Sequence, residues 1–305
     1  MSNIFLTGGS GLLGLNFYYQ LKKKHKIFLN FHKKKIAKIN FNKLDLNNYT
    51  QVKKFLIKNK IEYFIHTAAI TDIEKCERNK KLTKFINVEM SELLARVCKD
   101  INIKFVFISS DQLFDGKKNF YKENDKILPL NYYSRSKTLA EKKILKINKY
   151  SLIVRTNFFG FGPKYRRSFS DWIIDSLKEK KKINIFKDVY FNPISINFLN
   201  NTLITLLKKN MFGIVNFSSD QKISKYEFAL KVAKKFNLNS KLILPVSYLS
   251  IKKKLKLVSR PKNMTLSNKK LKNVLNTKYI DIDKMIKSLY LSRNSKNILS
   301  IKKIK

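Results

Sequence analysis

Tyr133 and Lys137 are the residues of this sequence whose types and spacing point most directly to acid–base chemistry. They lie four positions apart in a predicted helix, so the phenol and the ammonium share one helix face. A free tyrosine titrates at about pH 10, and a neighbouring ammonium favours the phenolate and lowers that pKa. The spacing therefore predicts a proton-transfer pair in which Lys137 lowers the pKa of Tyr133. The same spacing also arises by chance in so lysine-rich a chain.

A pair of hydroxyls stands about 23 residues before Tyr133, at the end of an apolar run over residues 105–108. Ligands bind at the carboxyl ends of strands in parallel sheets. Ser110 is therefore expected to hydrogen-bond a substrate carbonyl oxygen beside Tyr133. The alternative is that Ser109 and Ser110 only cap a helix.

A glycine-rich segment, Thr-Gly-Gly-Ser-Gly-Leu-Leu-Gly at residues 7–14, joins the first predicted strand to the first predicted helix. Glycines there permit a sharp turn and a close approach to a pyrophosphate, which the helix N-terminus attracts. The sequence thus predicts a dinucleotide site rather than a plain glycine-rich turn. The residues expected to bind the cofactor are Gly8, Ser10, Gly11, Leu12, Leu13 and Gly14.

The end of the second predicted strand bears on which dinucleotide binds. NAD-selective folds place Asp or Glu about 20 residues after the glycines, whereas this chain has His32 and Lys33. These residues suit a 2′-phosphate and favour NADP(H), with NAD(H) still possible. Asp45 and Leu46, after a predicted strand at 40–44, are expected to contact the adenine. Asp45 serves equally well as a turn or cap residue.

Taken in order, these motifs resemble the extended short-chain dehydrogenase/reductases, and within them the dTDP-4-dehydrorhamnose reductase branch. The resemblance covers about residues 3 to 275. Its motifs lie at residues 7–14, 66–71 (His-Thr-Ala-Ala-Ile-Thr), 87 (Asn), 109–116 (Ser-Ser-Asp-Gln-Leu-Phe-Asp-Gly), 129–137 (Pro-Leu-Asn-Tyr-Tyr-Ser-Arg-Ser-Lys), 155–156 (Arg-Thr), 193 (Pro), 213–217 and 260–263 (Arg-Pro-Lys-Asn).

The resemblance implies a role for each matching residue. Ser110 would orient the carbonyl, Tyr133 would donate the proton, and Lys137 would bind the nicotinamide ribose. Asn87 would hold the catalytic site together, and Ala68 and Ala69 would line the cofactor. The resemblance implies NADPH-dependent reduction of the 4-keto group of a nucleotide-activated deoxysugar, as in dTDP-rhamnose and surface polysaccharide biosynthesis.

Two segments depart from the branch where the family contacts its sugar. Residues 157–159 are Asn-Phe-Phe instead of an aromatic Trp-Val-Tyr run, and Asn192 replaces the glycine before Pro193. The sugar and its nucleotide carrier therefore stay open. So do two other functions, a sugar-nucleotide epimerase and a non-catalytic regulatory subunit of the methionine adenosyltransferase type. The retained proton-transfer residues favour an enzyme.

The elements that must position these residues alternate between short apolar runs and segments of helical period, which predicts an α/β fold. We expect a Rossmann-like doubly wound parallel sheet with a smaller C-terminal substrate-binding domain. Predicted strands are 3–6, 26–31, 63–66, 105–109 and 152–155, and predicted helices are 12–24, 49–59, 81–100, 134–147, 168–181 and 224–236, the last capped by Ser224 with Glu227 at N3. The predicted division is an NADP-binding domain over 1–156 with a return segment near 188–218, a substrate-binding domain over 157–187 and 219–292, and a frayed tail over 293–305; a strand at 213–217 is expected to rejoin the first sheet.

Composition adds bounds on partners and location. The 305 residues carry a formal net charge of +44, but only eight of the 65 basic residues are Arg, and the Lys excess accompanies Ile and Asn along the whole chain. A codon bias explains this pattern better than a specific nucleic-acid partner. The apolar runs are too short for a bilayer span of about 20 residues, and no leader is seen, so a cytoplasmic protein is expected. Cys76 and Cys98 are not spaced for a metal, none is predicted, and a homodimer is left open.

Overall fold

The structure is a computed structural model that describes residues 1–31, 39 and 41–294. Its strands are β1 Asn3–Thr7, β2 Lys26–Asn30, β3 Phe41–Asn42, β4 Tyr63–His66, β5 Lys104–Ile108, β6 Leu152–Thr156, β7 Phe158–Phe159, β8 Ile183–Phe186, β9 Tyr190–Phe191, β10 Ile194–Ser195, β11 Gly213–Phe217, β12 Ile223–Ser224 and β13 Ile243–Val246. Its α-helices are α1 Leu12–Leu21, α2 Tyr49–Lys58, α3 Ile73–Arg78, α4 Lys80–Lys84, α5 Met90–Asp100, α6 Tyr132–Ile147, α7 Phe169–Lys178, α8 Ile196–Lys208, α9 Lys225–Lys235, α10 Tyr248–Leu255, α11 Lys269–Leu275 and α12 Ile282–Leu291. A π-helical turn spans Phe85–Glu89, and 3₁₀ turns span Ser240–Leu242 and Ser292–Asn294.

Seven parallel strands form the central sheet in the order β11-β6-β5-β4-β1-β2-β3. The chain runs outward from β1 to β3 and then returns to β4 on the other side of β1. The strand order thus reverses between β1 and β4, the point at which open α/β sheets bind ligands outside the carboxyl ends of their strands. This is the predicted Rossmann-like doubly wound sheet.

Helices cover both faces of the sheet, so each face buries its own apolar cluster. One cluster contains Leu13 and Phe17 of α1 and extends under the second half of the chain. The other contains Val52 of α2, Leu94 of α5 and Phe105 of β5. Strands buried on both sides read as nearly continuous apolar runs, which is why the sequence located them well.

The predicted helix over 81–100 is confirmed, because residues 80–100 are helical without a break. Within this helix a π-helical turn joins α4 to α5, which the sequence did not predict, and α3 precedes it. Asn79 begins α4 by accepting a hydrogen bond from the Leu82 N–H at 3.0 Å. The π-helical turn contains Asn87, whose side chain hydrogen-bonds the Ile70 backbone and the Ser136 hydroxyl. Such turns frequently mark functional sites.

Two helices of the second half begin at the residues that the sequence indicated. Ser168 and Asp171 form a capping box on α7, and Ser224 and Glu227 form one on α9. The strand Gly213–Phe217 pairs with β6 along its whole length. The division into two domains stays a prediction.

No helix in the described ranges combines the length and the apolar character needed to cross a membrane.

Candidate active site

The glycine-rich segment after β1 forms a tightly folded cradle in which several glycines occupy positions where a side chain would collide with neighbouring atoms. Gly8 has a φ of 67°, a region that glycine adopts without strain. A Cβ at Gly14 would lie 2.5 Å from the Gly8 oxygen. Gly11 is the N-cap of α1 and provides no side-chain cap, so backbone N–H groups of the first turn face the cradle. This geometry fits a dinucleotide pyrophosphate.

The cradle lies directly beside the end of β4. The Thr7 hydroxyl accepts hydrogen bonds from the N–H groups of Thr67, at 3.1 Å, and Ala68, at 3.2 Å. A Cβ at Gly8 would meet the Ala68 nitrogen at 3.0 Å. The structure therefore brings Ala68, and Ala69 after it, to the predicted cofactor crevice.

Three other cradle residues have different surroundings. Ser10 is partly buried, and its carbonyl oxygen accepts a hydrogen bond from the Tyr165 hydroxyl at 2.9 Å. Leu12 is partly buried as well. The Leu13 side chain packs in the core, so this residue offers a ligand its backbone alone.

The residues predicted to contact the adenine of the cofactor make their contacts with other parts of the protein, not with the glycine cradle. Asp45 is exposed, and its carboxylate accepts hydrogen bonds from the Asn47 backbone and side chain at 3.0 and 3.2 Å. These contacts stabilise a local turn, which is the alternative role that the sequence allowed for Asp45. Leu46 is buried against the apolar cluster of α2 and α5. His32 and Lys33 lie outside the described residues.

Tyr133 and Lys137 lie in the first two turns of α6, which Asn131 caps through the Ser134 N–H. Both are buried, with 7% and 2% of their surfaces exposed. The Lys137 ammonium donates to the Ile108 carbonyl at 2.6 Å and lies 3.8 Å from the centroid of the Phe107 ring. Burial lowers the pKa of Lys137 to about 7.

The expectation that Lys137 lowers the pKa of Tyr133 is wrong for this structure. Burial raises the pKa of Tyr133 to about 12, and hydrogen bonding with Ser110 acts in the opposite direction. The phenol is therefore a protonated donor at neutral pH. The lysine is oriented towards β5 rather than towards the phenol.

Ser110 lies between the phenol and a buried carboxylate. Its hydroxyl donates to Asp111 at 3.3 Å and accepts from the Gln112 N–H at 3.2 Å. No helix follows in the chain before Tyr132, so the capping alternative for Ser109 and Ser110 is not realised. The hydroxyl of Ser110 therefore lies near both the phenol of Tyr133 and the carboxylate of Asp111.

Asp111 connects this site to the second half of the chain. The sequence did not predict this connection. Asn157 donates to its carboxylate at 2.8 Å. Burial raises the pKa of Asp111 to about 6, and the positive charge of Lys225 acts to lower it. Lys225, the first residue of α9, lies 3.6 Å from the centroid of the Phe191 ring. The spacing of residues within one segment of the sequence cannot reveal contacts between segments that are far apart in the chain.

Asn87 supports the start of α6. Its side chain accepts from the Ile70 N–H at 2.8 Å and donates to the Ile70 carbonyl and the Ser136 hydroxyl, both at 3.0 Å. Ser136 donates in turn to the Tyr133 carbonyl at 2.7 Å. Asn87 therefore holds the segment after β4 against α6.

His66 forms a second buried connection that the sequence did not single out. Its Nδ1 lies 2.7 Å from the Thr7 hydroxyl and its Nε2 lies 3.0 Å from the Ser91 hydroxyl. The Thr7 oxygen already accepts two backbone N–H groups, so its proton is directed to Nδ1 and Nε2 carries the ring proton. The Ser91 hydroxyl continues this series of hydrogen bonds by donating to the Asn87 carbonyl at 2.9 Å. Burial lowers the pKa of His66 to about 3, which keeps the ring neutral.

The family model described as RmlD substrate binding domain matches residues 1–292. The chain belongs to this family. Its curated relatives include a probable low-salt glycan biosynthesis reductase, Agl14, of Haloferax volcanii, which is 27% identical over 78% of this chain and 82% of the relative. The dTDP-4-dehydrorhamnose reductase of Aggregatibacter actinomycetemcomitans is 26% identical over 76% and 78%.

The curated relatives also include proteins with a different name. The methionine adenosyltransferase 2 subunit beta of Xenopus laevis is 27% identical over 79% of this chain and 74% of the relative. Similarity to these relatives therefore does not by itself separate an enzyme from a subunit of another enzyme.

Two solved structures show how closely the fold is shared. A hypothetical dTDP-4-dehydrorhamnose reductase from Sulfolobus tokodaii is 32% identical, with a TM-score of 0.79 over 93% of this chain and 98% of that one. The dTDP-4-dehydrorhamnose reductase of Bacillus anthracis, solved in complex with NADP, is 24% identical, with a TM-score of 0.83 over 96% and 100%. Both confirm the Rossmann-like fold of the RmlD family for this chain.

Proposed function

We propose that this protein is an NADPH-dependent oxidoreductase that reduces the 4-keto group of a nucleotide-activated deoxysugar, most like dTDP-4-dehydrorhamnose reductase. One observation carries the proposal. The buried phenol of Tyr133 lies close enough to Ser110 for the serine hydroxyl to oppose the rise in its pKa, and Ser110 follows β5 at the sheet edge that bears the glycine cradle. A proton donor beside a dinucleotide cradle is the arrangement that carbonyl reduction needs.

In the proposed chemistry, the substrate carbonyl oxygen accepts hydrogen bonds from Ser110 and Tyr133. Tyr133 then transfers its hydroxyl proton to that oxygen as the carbonyl becomes an alcohol. The high pKa of Tyr133 keeps this proton in place at neutral pH. Bound NADPH supplies the hydride. Lys137 would bind the ribose next to the nicotinamide, and Asn87 would keep α6 in position.

The choice of cofactor rests on several observations. The cradle of Gly8, Gly11 and Gly14 fits a pyrophosphate, with Ala68 and Ala69 at its side. His32 and Lys33 follow the second strand where an acidic residue would select NAD. The similar Bacillus anthracis reductase was solved with NADP. We propose NADP(H) as the cofactor, with Leu46 and Asp45 near the adenine and NAD(H) as the weaker alternative.

The substrate side belongs, in this proposal, to segments 157–187 and 219–292. Asn157 and Lys225 come from those segments and reach Asp111 beside the proposed catalytic serine. The relatives named as glycan biosynthesis and dTDP-4-dehydrorhamnose reductases favour a nucleotide sugar. The proposal includes a cytoplasmic reaction and leaves a homodimer open.

A regulatory subunit is the second candidate, because the methionine adenosyltransferase subunit relatives cover a similar share of the chain. A protein that only binds a partner enzyme has no need of a buried, protonated tyrosine joined to a serine. The sugar-nucleotide epimerase alternative would use the same residues and return the hydride to the sugar.

The test is the decay of NADPH absorbance with purified protein and dTDP-4-dehydrorhamnose, with GDP- and UDP-linked 4-keto sugars in parallel. Oxidation of NADPH by one of these sugars, with a reduced sugar as the product, is expected. NADPH binding without oxidation by any of them would contradict the reductase assignment. Interconversion of sugar epimers without net NADPH use would identify the epimerase instead.

A further inference from the structure

One loop of the second half of the chain contacts both walls of the proposed cofactor crevice. We call residues 161–168, between β7 and α7, the strap. The Tyr165 hydroxyl in the strap donates to the Ser10 carbonyl of the glycine cradle at 2.9 Å. The next residue, Arg166, donates to the Thr71 hydroxyl at 2.6 Å. Ser10 follows β1 and Thr71 follows β4, so the strap spans the point where the strand order reverses.

The two ends of the strap are fixed by a buried carboxylate. Asp171 of α7 is 5% exposed and accepts hydrogen bonds from the N–H groups of Gly162, at 2.8 Å, and Ser168, at 2.9 Å. The Ser168 hydroxyl donates to the Gly160 carbonyl at 2.6 Å. These bonds close the loop at its base, so its middle residues are held over the crevice.

The strap also packs tightly on the start of α1. Asn16 of α1 donates to the Phe161 carbonyl at 2.8 Å. A Cβ at Gly162 would lie 2.5 Å from the Arg166 oxygen and 2.7 Å from the Leu12 side chain. Only glycine fits there, which keeps the loop close to the helix N-terminus that a pyrophosphate would approach.

The cradle by itself lacks a cation. None of residues 8–14 is charged. Arg166 is exposed, and among the residues that the structure describes its guanidinium hydrogen-bonds Thr71 alone. Its remaining N–H groups are free to bind oxygens, and the planar fork of a guanidinium suits phosphate.

We propose that the strap closes over the pyrophosphate of the bound dinucleotide and that Arg166 binds this pyrophosphate directly. The inference rests on the dinucleotide use proposed above. Tyr165 then acts as the latch that joins the strap to the cradle. The dinucleotide leaves only after both the Tyr165 contact with Ser10 and the Arg166 contact with Thr71 have broken, so dissociation is slow.

The test measures NADPH and NADH binding to the full chain by fluorescence titration, and their dissociation by stopped flow, without any sugar. Arg166→Ala is expected to weaken both dinucleotides equally, by roughly 10- to 100-fold, because both carry the pyrophosphate. Tyr165→Phe removes one hydrogen bond and is expected to speed dissociation by about 3- to 10-fold.

The matched control is Arg167→Ala, which removes the same charge one residue further on. Arg167 pairs with Asp175 on the surface at 3.3 Å, so its loss is expected to change either affinity by less than about twofold. Equal effects of Arg166→Ala and Arg167→Ala would reduce the result to a general charge effect and overturn the proposal.

Two other results would also overturn it, and one separates it from the proposed function. A loss confined to NADPH would place Arg166 at the 2′-phosphate, and unchanged affinities would remove it from the site. If the unmodified protein binds neither dinucleotide, the proposed function itself fails. If the unmodified protein binds them and the strap variants do so equally well, the strap proposal alone fails.

Discussion

The Lys137 ammonium donates to the Ile108 carbonyl oxygen at 2.6 Å and so joins α6 to the end of β5. Ser110 follows Ile108 by two residues, and Tyr133 precedes Lys137 by one helical turn. The lysine thereby fixes the distance between the two elements that carry the proposed proton donor and its hydroxyl partner. Its role without a ligand is structural, although its burial is unfavourable for a charge.

Replacement of Lys137 by Met should therefore raise the thermal stability. Because the pKa falls from 10.5 unfolded to about 7 folded, the penalty of the buried charge is full below pH 7 and fades as the pH rises towards 10.5. We expect a melting temperature about 2–4 °C higher at pH 6, with a smaller gain at pH 9.5, measured by calorimetry. A lower melting temperature at both pH values would contradict this account. Turnover should be lost.

Tyr133→Phe should leave dinucleotide affinity within about twofold and reduce turnover by roughly 10²- to 10⁴-fold, because the phenolic proton has no substitute. Titration calorimetry and NADPH oxidation measure the two quantities. Tyr132→Phe is the matched control, since this neighbour is partly exposed and lies one position off the catalytic face. Retained turnover in Tyr133→Phe would remove Tyr133 from the mechanism.

His66 should remain neutral, with its proton on Nε2, from pH 5 to pH 9. Its pKa of about 3 follows from burial, and the two backbone donors on Thr7 decide the tautomer. Nitrogen-15 NMR of the labelled imidazole measures both properties, and loss of the signal in His66→Gln assigns it. A midpoint above pH 5 or a proton on Nδ1 would disprove the hydrogen-bond chain described for this ring.

The ion pair of Arg155 with Glu141 allows a test of how a buried charge pair affects the stability of the fold. Both residues are almost fully buried, at 1% and 2% exposure, and their nearest atoms are 2.7 Å apart. Arg155→Met should lower the free energy of unfolding by about 3–5 kcal/mol because it strands the carboxylate, and adding Glu141→Leu should recover much of the loss. Urea unfolding measures both.

Lys231→Met is the control for this pair. Lys231 contacts the half-exposed Asp283 at 2.8 Å, and its replacement should cost no more than about 1 kcal/mol. A loss from Arg155→Met as small as this would contradict the buried-pair argument.

Gly14→Ala should weaken NADPH binding and destabilise the protein, since its Cβ would press on the Gly8 oxygen at 2.5 Å. Gly213→Ala is a suitable control. A Cβ at Gly213 would meet no atom beyond the chain neighbours within 4 Å, but the φ of 76° costs a side chain about 1–2 kcal/mol in strain. The control should lose stability and keep its NADPH affinity, measured by fluorescence titration. Equal NADPH binding by both variants would exclude a cradle at Gly14.

The sequence located β1, β4, β5 and β6 to within a residue or so, because strands buried on both faces are short apolar runs. The sequence also predicted that Ser110 and Tyr133 lie at one edge of the sheet, because ligands bind at the carboxyl ends of parallel strands. Local pattern carries this information.

It could not supply contacts between distant segments. The π-helical turn around Asn87 depends on bonds to Ile70, and the Asp111 environment depends on Asn157 and Lys225. Burial raises the pKa of Tyr133, whereas the expected lowering by Lys137 does not occur, and the Lys137 ammonium is bonded to the Ile108 carbonyl instead. Such effects need the folded arrangement.

The position of β11 at the edge of the sheet has a consequence for protein synthesis. Gly213–Phe217 covers the edge of β6 over five residue pairs, and the Gly213 N–H also bonds to the Ser151 carbonyl at 2.8 Å. A nascent chain that has emerged only to residue 156 therefore presents an open row of backbone N–H and C=O groups. Segment 157–212 must follow before that edge is paired, so ribosome stalling within it would leave a chain able to pair with a neighbouring one.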